Sequence, residues 1–196
     1  LVKTEVLVPE KGKRLIVNVT IANNGKEDKK YRILKCAFPY LNELLMAPWD
    51  KPEWYTRTEY LKGENAFLTT KFSVAGKKEE RRYLTVVDSD EPKYRELSLE
   101  RLATSTKNFT VLPSVIGKNT EDVLYAFKQC VSGLSEIAVR SGESYSFTQV
   151  FSITDDEKVV SEDIAAAKKY FDGKAQKDEL EKLEKKYNEL FSVRTV

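Results

Sequence analysis

Ser144-Tyr145-Ser146-Phe147-Thr148-Gln149-Val150-Phe151-Ser152-Ile153-Thr154 sets Tyr145, Phe147, Gln149, Phe151 and Ile153 at every second position. That is the period of a strand, whose successive side chains point to opposite faces, and it predicts a half-buried strand with an aromatic inner face. After Ser161 the period changes. Ile164, Ala167, Lys168 and Phe171 make one helix stripe, with Ser161 as its expected cap, Glu162 and Asp163 in its first turn and Gly173 as its expected stop. Leu180, Leu183, Tyr187, Leu190 and Phe191 make a second stripe, on a helix expected from Lys177 to Phe191. The switch predicts a β-rich body followed by a helical tail leading outward.

The chain has 196 residues, enough to bury a substantial core. Its 33 Lys and Arg balance 31 Asp and Glu, so no global field argues for nucleic acid or a membrane surface. No apolar run reaches the roughly 20 residues that a membrane-spanning helix needs. The start at Leu1 and the interrupted pattern at Val196 suggest a piece of a longer polypeptide. Histidine is absent, which excludes Ser-His-Asp and Cys-His catalysis. Cys36 and Cys130 are two isolated cysteines in apolar runs, read as small buried hydrophobes in preference to a disulfide or a ligand pair, and no zinc site is expected.

In order, Thr4 to Val8 reads as a short strand stopped by Pro9, and Leu15, Val17, Val19 and Ile21 give the cleanest alternation in the chain. Asn23-Asn24-Gly25-Lys26 tolerates positive φ, so the run from Tyr31 to Phe38 is expected to pair with the preceding strand as a hairpin. Ala66 to Phe72 and Glu80 to Val87 make two further strands around Ala75-Gly76-Lys77-Lys78, the charges from Lys77 to Arg82 being a solvated hairpin end. Asp88 to Lys93 is an acidic loop without the glycine and distal glutamate of a calcium loop. Tyr94 to Arg101 is ambiguous. Phe109 to Ile116, Asp122 to Val131, Ser135 to Arg140 and the aromatic strand complete the body.

Between Phe38 and Tyr60, Pro39, Pro48 and Pro52 break any ladder and predict an extended loop. It carries Trp49, Trp54 and Tyr55 near Arg57 and Glu59. Aromatic faces pack on the apolar side of a sugar ring while charged groups bond its hydroxyls, so these five are the candidate substrate-binding residues. The plainer reading is a loop pinned to the sheet by its own aromatics. No residue is a candidate catalytic group or metal ligand. Asp50, Asp88, Asp155 and Asp156 are read as surface or capping carboxylates.

Many short strands without a helix-period segment before residue 161 predict a mainly β protein, a large antiparallel β-sandwich. Residues 1–158 form the sandwich and residues 159–196 a two-helix linker. On the second helix Asp178 with Lys182 and Glu181 with Lys185 are spaced to pair.

Several segments resemble, in order, the N-terminal domain of the glycoside hydrolase family 94 phosphorylases, relatives of cellobiose phosphorylase. They are Ile16-Val17-Asn18-Val19-Thr20-Ile21-Ala22-Asn23-Asn24, Arg57-Thr58-Glu59-Tyr60 with Glu64-Asn65-Ala66-Phe67-Leu68, Leu112-Pro113-Ser114, Ile137 to Phe147, and Tyr187-Asn188-Glu189-Leu190-Phe191-Ser192-Val193-Arg194-Thr195. The family's glycine-arginine-glycine loop is replaced by Arg101-Leu102-Ala103-Thr104-Ser105-Thr106, which resembles a divergent branch such as β-1,2-oligoglucan phosphorylase. The resemblance implies a galactose mutarotase-like supersandwich whose linker leads to an (α/α) barrel absent from this chain. It also implies inverting phosphorolysis of a β-glucan to α-glucose 1-phosphate in the cytoplasm of a bacterium. Inorganic phosphate would be co-substrate and no cofactor is expected. The implied partners are the barrel, a β-glucan oligosaccharide and a second copy of the chain, with no nucleic acid and no membrane. The catalytic acid would lie on the barrel, leaving this chain inactive by itself. The competing reading is a stand-alone extracellular carbohydrate-binding or adhesive module.

Overall fold

The computed structural model describes residues 1–39, 56–72, 81–103, 121–125 and 129–191. The chain is mainly β, with two antiparallel sheets and two C-terminal helices. The strands are β1 (Val2–Leu7), β2 (Arg14–Ala22), β3 (Lys29–Ala37), β4 (Thr56–Leu61), β5 (Ala66–Lys71), β6 (Arg82–Asp88), β7 (Tyr94–Ser98), β8 (Val123–Tyr125), β9 (Gln129–Val139) and β10 (Ser144–Thr154). The helices are α1 (Leu99–Ala103), α2 (Val160–Lys168) and α3 (Gly173–Phe191). Among the described residues the larger sheet has seven strands in the order β1-β2-β10-β6-β5-β4-β8, and the smaller has three in the order β3-β9-β7.

Where β2 and β3 were expected to form a hairpin, they lie in different sheets, β2 against β1 and β10, β3 against β9. The Asn-Asn-Gly turn is a corner. Asn23 is 2 % exposed, and its Nδ2 donates to the Glu27 and Val139 carbonyls at 2.8 and 3.0 Å. Its backbone N–H and C=O bond Glu143 and Gly142, so one buried asparagine also holds the β9–β10 crossing between the same two sheets. Gly142 takes φ +76° there, a conformation that L side chains rarely adopt.

Other boundaries moved as well. Residues 56–60 belong to β4 and not to a loop, because alternate side chains of Thr56, Thr58 and Tyr60 are buried between the sheets. Residues 129–139 form one strand through Gly133 where two were expected. The ambiguous run from Tyr94 resolves into β7 and the short helix α1. β5 and β6 pair in register from Ala66 with Val87 to Lys71 with Arg82, as expected; their turn at 75–78 and the apolar run at 109–116 lie outside the described residues.

The aromatic strand β10 is covered on both faces. Phe151 packs with Tyr60, Phe67, Leu84, Val86, Leu97 and Val131 between the sheets. Val150 instead joins Ile16, Ala66, Tyr83 and Val87 under Val160, Ile164 and Ala167 of α2. The helical segment therefore folds back on the sandwich as a third layer, and burial of Val160 and Ile164 contributes about 1.5–3 kcal/mol each. Its entry also differs from expectation. Asp156 Oδ1, not Ser161, accepts from the backbone, at Lys158 N, 2.9 Å away. The break before α3 falls at extended Asp172, whose Oδ1 accepts from Lys174 N at 2.9 Å, so Gly173 starts a helix and does not stop one. On α3 the ion pairs are Lys177 with Glu181, Lys182 with Glu179 and Lys185 with Glu189, in place of the two pairs expected.

A charge sits between the sheets. Lys35 of β3 reaches Asp88 Oδ1 of β6 at 2.9 Å, with side-chain exposures of 2 % and 1 %, and its ammonium lies 4.9 Å from the centre of the Phe147 ring. Lys35 also donates to the Asp90 carbonyl at 3.1 Å, Gln149 donates to Asp88 Oδ2 at 3.0 Å, and Ser135 to Asp90 Oδ2 at 2.8 Å. Asp88 is thus a buried ion-pair partner and not the surface group expected. Burial pushes its carboxyl above the ordinary range against the opposing pull of Lys35. At Asp90 burial acts in the same direction, but the Tyr145 and Ser135 hydroxyls and the Lys35 charge outweigh it and hold the carboxyl low. Gly133 stands opposite Lys35 in the ladder, and a Cβ there would meet Pro92 Cβ at 2.7 Å. Its bareness admits the loop that carries Asp90.

Two stability measurements follow. Lys35→Met leaves Asp88 buried without its cation and is expected to cost about 3–5 kcal/mol in denaturant unfolding at neutral pH. Adding Asp88→Asn is expected to recover more than half of that loss. Burial also raises the Tyr60 phenol to about 12. A folded-state value above the unfolded one of about 10 means that this contribution is present below pH 10 and is lost as pH rises towards 12. Tyr60→Phe should therefore flatten the alkaline limb of the stability profile between those values.

Candidate functional site

α2 covers β6 and β10 but stops short of β4, and the step so formed is a cleft of about 330 Å³. On the strands the period of two brings Arg57, Glu59 and Leu61 of β4 beside Leu68 and Thr70 of β5, with Phe72, Arg81 and Tyr83 completing the floor. Glu64, Glu157, Val160, Ser161 and Ile164 form the wall. The volume lies at the low end of ligand sites, which run from about 300 to 1,000 Å³.

The cleft is lined with opposed charges. Arg57 Nη2 meets Glu59 Oε2 at 2.6 Å, and the guanidinium lies 5.4 Å from the centre of the Tyr125 ring. Arg57 Nε is shielded from solvent and has no hydrogen-bond partner among the described residues. Arg81 stands 5.3 Å from the Phe72 ring centre and 3.8 Å from the Glu157 carboxylate. Glu64 is held by Lys168 of α2 at 2.5 Å. Burial raises the Tyr83 phenol, with the neighbouring Arg81 guanidinium pulling the other way, so the hydroxyl stays a neutral donor and acceptor. Such a set can bind a neutral ligand rich in hydroxyls, each charged group offering several fixed donors or acceptors.

Of the five residues expected to bind substrate, Arg57 and Glu59 lie together in this cleft, whereas Trp49, Trp54 and Tyr55 lie outside the described residues. Sequence reading missed Arg81, which it took for part of a solvated turn, and Glu157, which lies beyond the last strand. The only signal for Arg81 was its place one residue before β6. Asp155 pairs with Lys13 and Arg82 at the surface, and Asp156 caps, both as expected. Cys130 is buried but Cys36 is exposed, a correction that follows from its position on β3, an outer strand of the smaller sheet.

Among the described residues no group of three or more His, Cys, Asp or Glu is arranged to hold a metal, and no helix is long and apolar enough to cross a membrane. No protein-family model matches the chain, and no curated protein matches it.

The Arg81–Glu157 contact joins side chains of which the carboxylate is two-thirds exposed, and exposed pairs are worth little. Arg81→Met and Glu157→Gln are therefore expected to change stability by no more than about 0.5 kcal/mol in denaturant titrations. Both substitutions can then probe the cleft without unfolding it.

Proposed function

We propose that this chain is the non-catalytic sandwich and linker portion of an inverting β-glucan phosphorylase, and that the β4–β6 cleft helps to bound the saccharide. The observation that carries the reading is the convergence of Arg57 and Glu59, selected from the sequence as sugar-facing, with Arg81, Tyr83 and Glu157 in one polar cleft. Charged groups paired with each other keep their geometry before a ligand arrives, so little ordering entropy is spent on binding hydroxyls. In this reading the catalytic acid and phosphate site lie on an (α/α) barrel, in the cytoplasm, and no residue of this chain is catalytic.

The exposed face of α3 favours the same reading. Leu180 and Tyr187 of α3 are 48 % and 61 % exposed, an apolar stripe of the kind that docks against another domain. The sandwich side of α3 is held by polar contacts: the Glu10 N–H donates to Glu179 Oε1 at 3.0 Å, Lys186 pairs with Glu10, and Asn18 with Gln176. The second reading, a stand-alone carbohydrate-binding module, rests on the cleft being built wholly from this chain.

Titration of the chain with β-glucan oligosaccharides of different linkage, followed by tryptophan fluorescence and calorimetry, separates them. The phosphorylase reading expects weak, millimolar-class binding, reduced severalfold by Glu59→Gln, and no glucose 1-phosphate with phosphate added. Micromolar binding by the chain alone favours the module. Release of glucose 1-phosphate, or binding that is indifferent to Arg57→Ala and Glu59→Gln together, would overturn the proposal.

A further inference from the structure

Among the described residues β1 is the outermost strand of the seven-stranded sheet. Val2 and Val6 stand in register with Ile21 and Val17, on the face that the smaller sheet covers elsewhere. The three-stranded sheet does not reach that far, so Val2 is 64 % and Val6 61 % exposed, and Val17 and Val19 beside them are only half-buried. The backbone at this edge has a definite phase. Leu1 and Ala22 exchange both bonds, at 2.9 and 2.8 Å. In an antiparallel ladder that makes Lys3, Glu5 and Leu7 the next positions bonded to β2, and it turns the N–H and C=O groups of Val2, Thr4 and Val6 outward.

We propose that β1 is the contact of a symmetric homodimer, pairing antiparallel with β1 of a second copy about a two-fold axis at Thr4. The sequence of β1 is complementary to itself in that register. Val2 faces Val6 of the partner subunit and Thr4 faces Thr4 of the partner subunit, so every outward N–H and C=O of these residues finds a partner. Lys3 faces Glu5 of the partner subunit in the non-hydrogen-bonded positions, where opposite side chains approach most closely.

The charges choose the register. Lys3 and Glu5 already lie 2.9 Å apart on one strand, both well exposed. A lysine on a free edge ordinarily blocks pairing by leaving its charge unmatched, but here each copy brings the matching carboxylate. Sliding the pair by two residues sets Lys3 against Lys3 or Glu5 against Glu5, which like-charge repulsion disfavours. The contact is the same patch on both copies, as a closed two-fold requires, and it joins the two larger sheets into one continuous sheet. Val2 and Val6 of both copies then form one apolar strip beside Val17 and Val19. This assignment is independent of the saccharide reading.

Sedimentation equilibrium of the 196-residue chain, between about 1 and 100 µM, tests it. A monomer–dimer equilibrium is expected. Lys3→Glu sets like charges face to face and should raise the dissociation constant about tenfold or more. Lys3→Glu combined with Glu5→Lys regenerates the complementary pattern and should return to within about threefold of the parent. Thr4→Pro deletes an outward N–H without removing a bond to β2, and should also dissociate the dimer. Far-UV circular dichroism checks that each variant is folded, and the two charge variants carry the test if the proline does not fold. A chain that stays monomeric throughout, a dimer indifferent to Lys3→Glu, or a double variant no better than the single one would each overturn the proposal.

Discussion

The buried charge of Lys35 is the constraint to which the two sheets answer. An ammonium taken out of water costs several kcal/mol unless carboxylate and carbonyl groups replace its hydration. Here they come from the other sheet and from the loop behind it: Asp88 ends β6, and Asp90 follows in the connection to β7. The pair can form only when β3 faces the end of β6 across the core. A sandwich slipped by one residue would turn Lys35 to the opposite face and leave Asp88 unpaired, which makes this pair a device of register more than of net stability. Gly133 and Gln149 complete it, one by leaving room and the other by filling the second oxygen of Asp88.

Other polar groups in the interior work in the same way. Thr58 and Thr69 share a hydroxyl contact at 2.9 Å, and Gln129 of β9 donates to the Thr56 carbonyl of β4 at 2.8 Å, again tying one sheet to the other. Arg95 of β7 lies 4.1 Å from the Tyr60 ring centre and reaches Asp122 at 3.0 Å. On the far face of the smaller sheet, fully buried Glu96 takes the Arg101 guanidinium of α1 at 3.0 Å and the Ser98 N–H at 2.8 Å. Apolar contacts alone are non-directional and would tolerate several alignments of two sheets. Satisfied polar groups tolerate few.

Unequal sheet widths give the molecule its surfaces. Among the described residues the three-stranded sheet covers only part of one face of the seven-stranded sheet and leaves that face bare at β1, while α2 covers part of the opposite face. The cleft is the corresponding gap on the helix side, beside β4. Both features arise from where a covering layer ends, and neither is written in any one segment.

The sequence by itself determined the strands with strong alternation, the switch to helix near residue 160 and the mainly β class. Those depend on local period. It also picked out Arg57 and Glu59, as charged groups beside the aromatics between Phe38 and Tyr60, although it read that segment as a loop. Tertiary structure decided the rest. Asn23 and Gly142 look like hairpin residues, but the same flexible turn serves a corner, and only the partners available to β3 and β9 choose between them. Asp88 reads as a loop carboxylate until Lys35 arrives from a strand 53 positions away. Arg81 joins the cleft only because α2 folds back and brings Glu157 beside it. Contacts between residues so distant in sequence leave no period to read, since the free energy that selects them belongs to the packed layers and not to the segment.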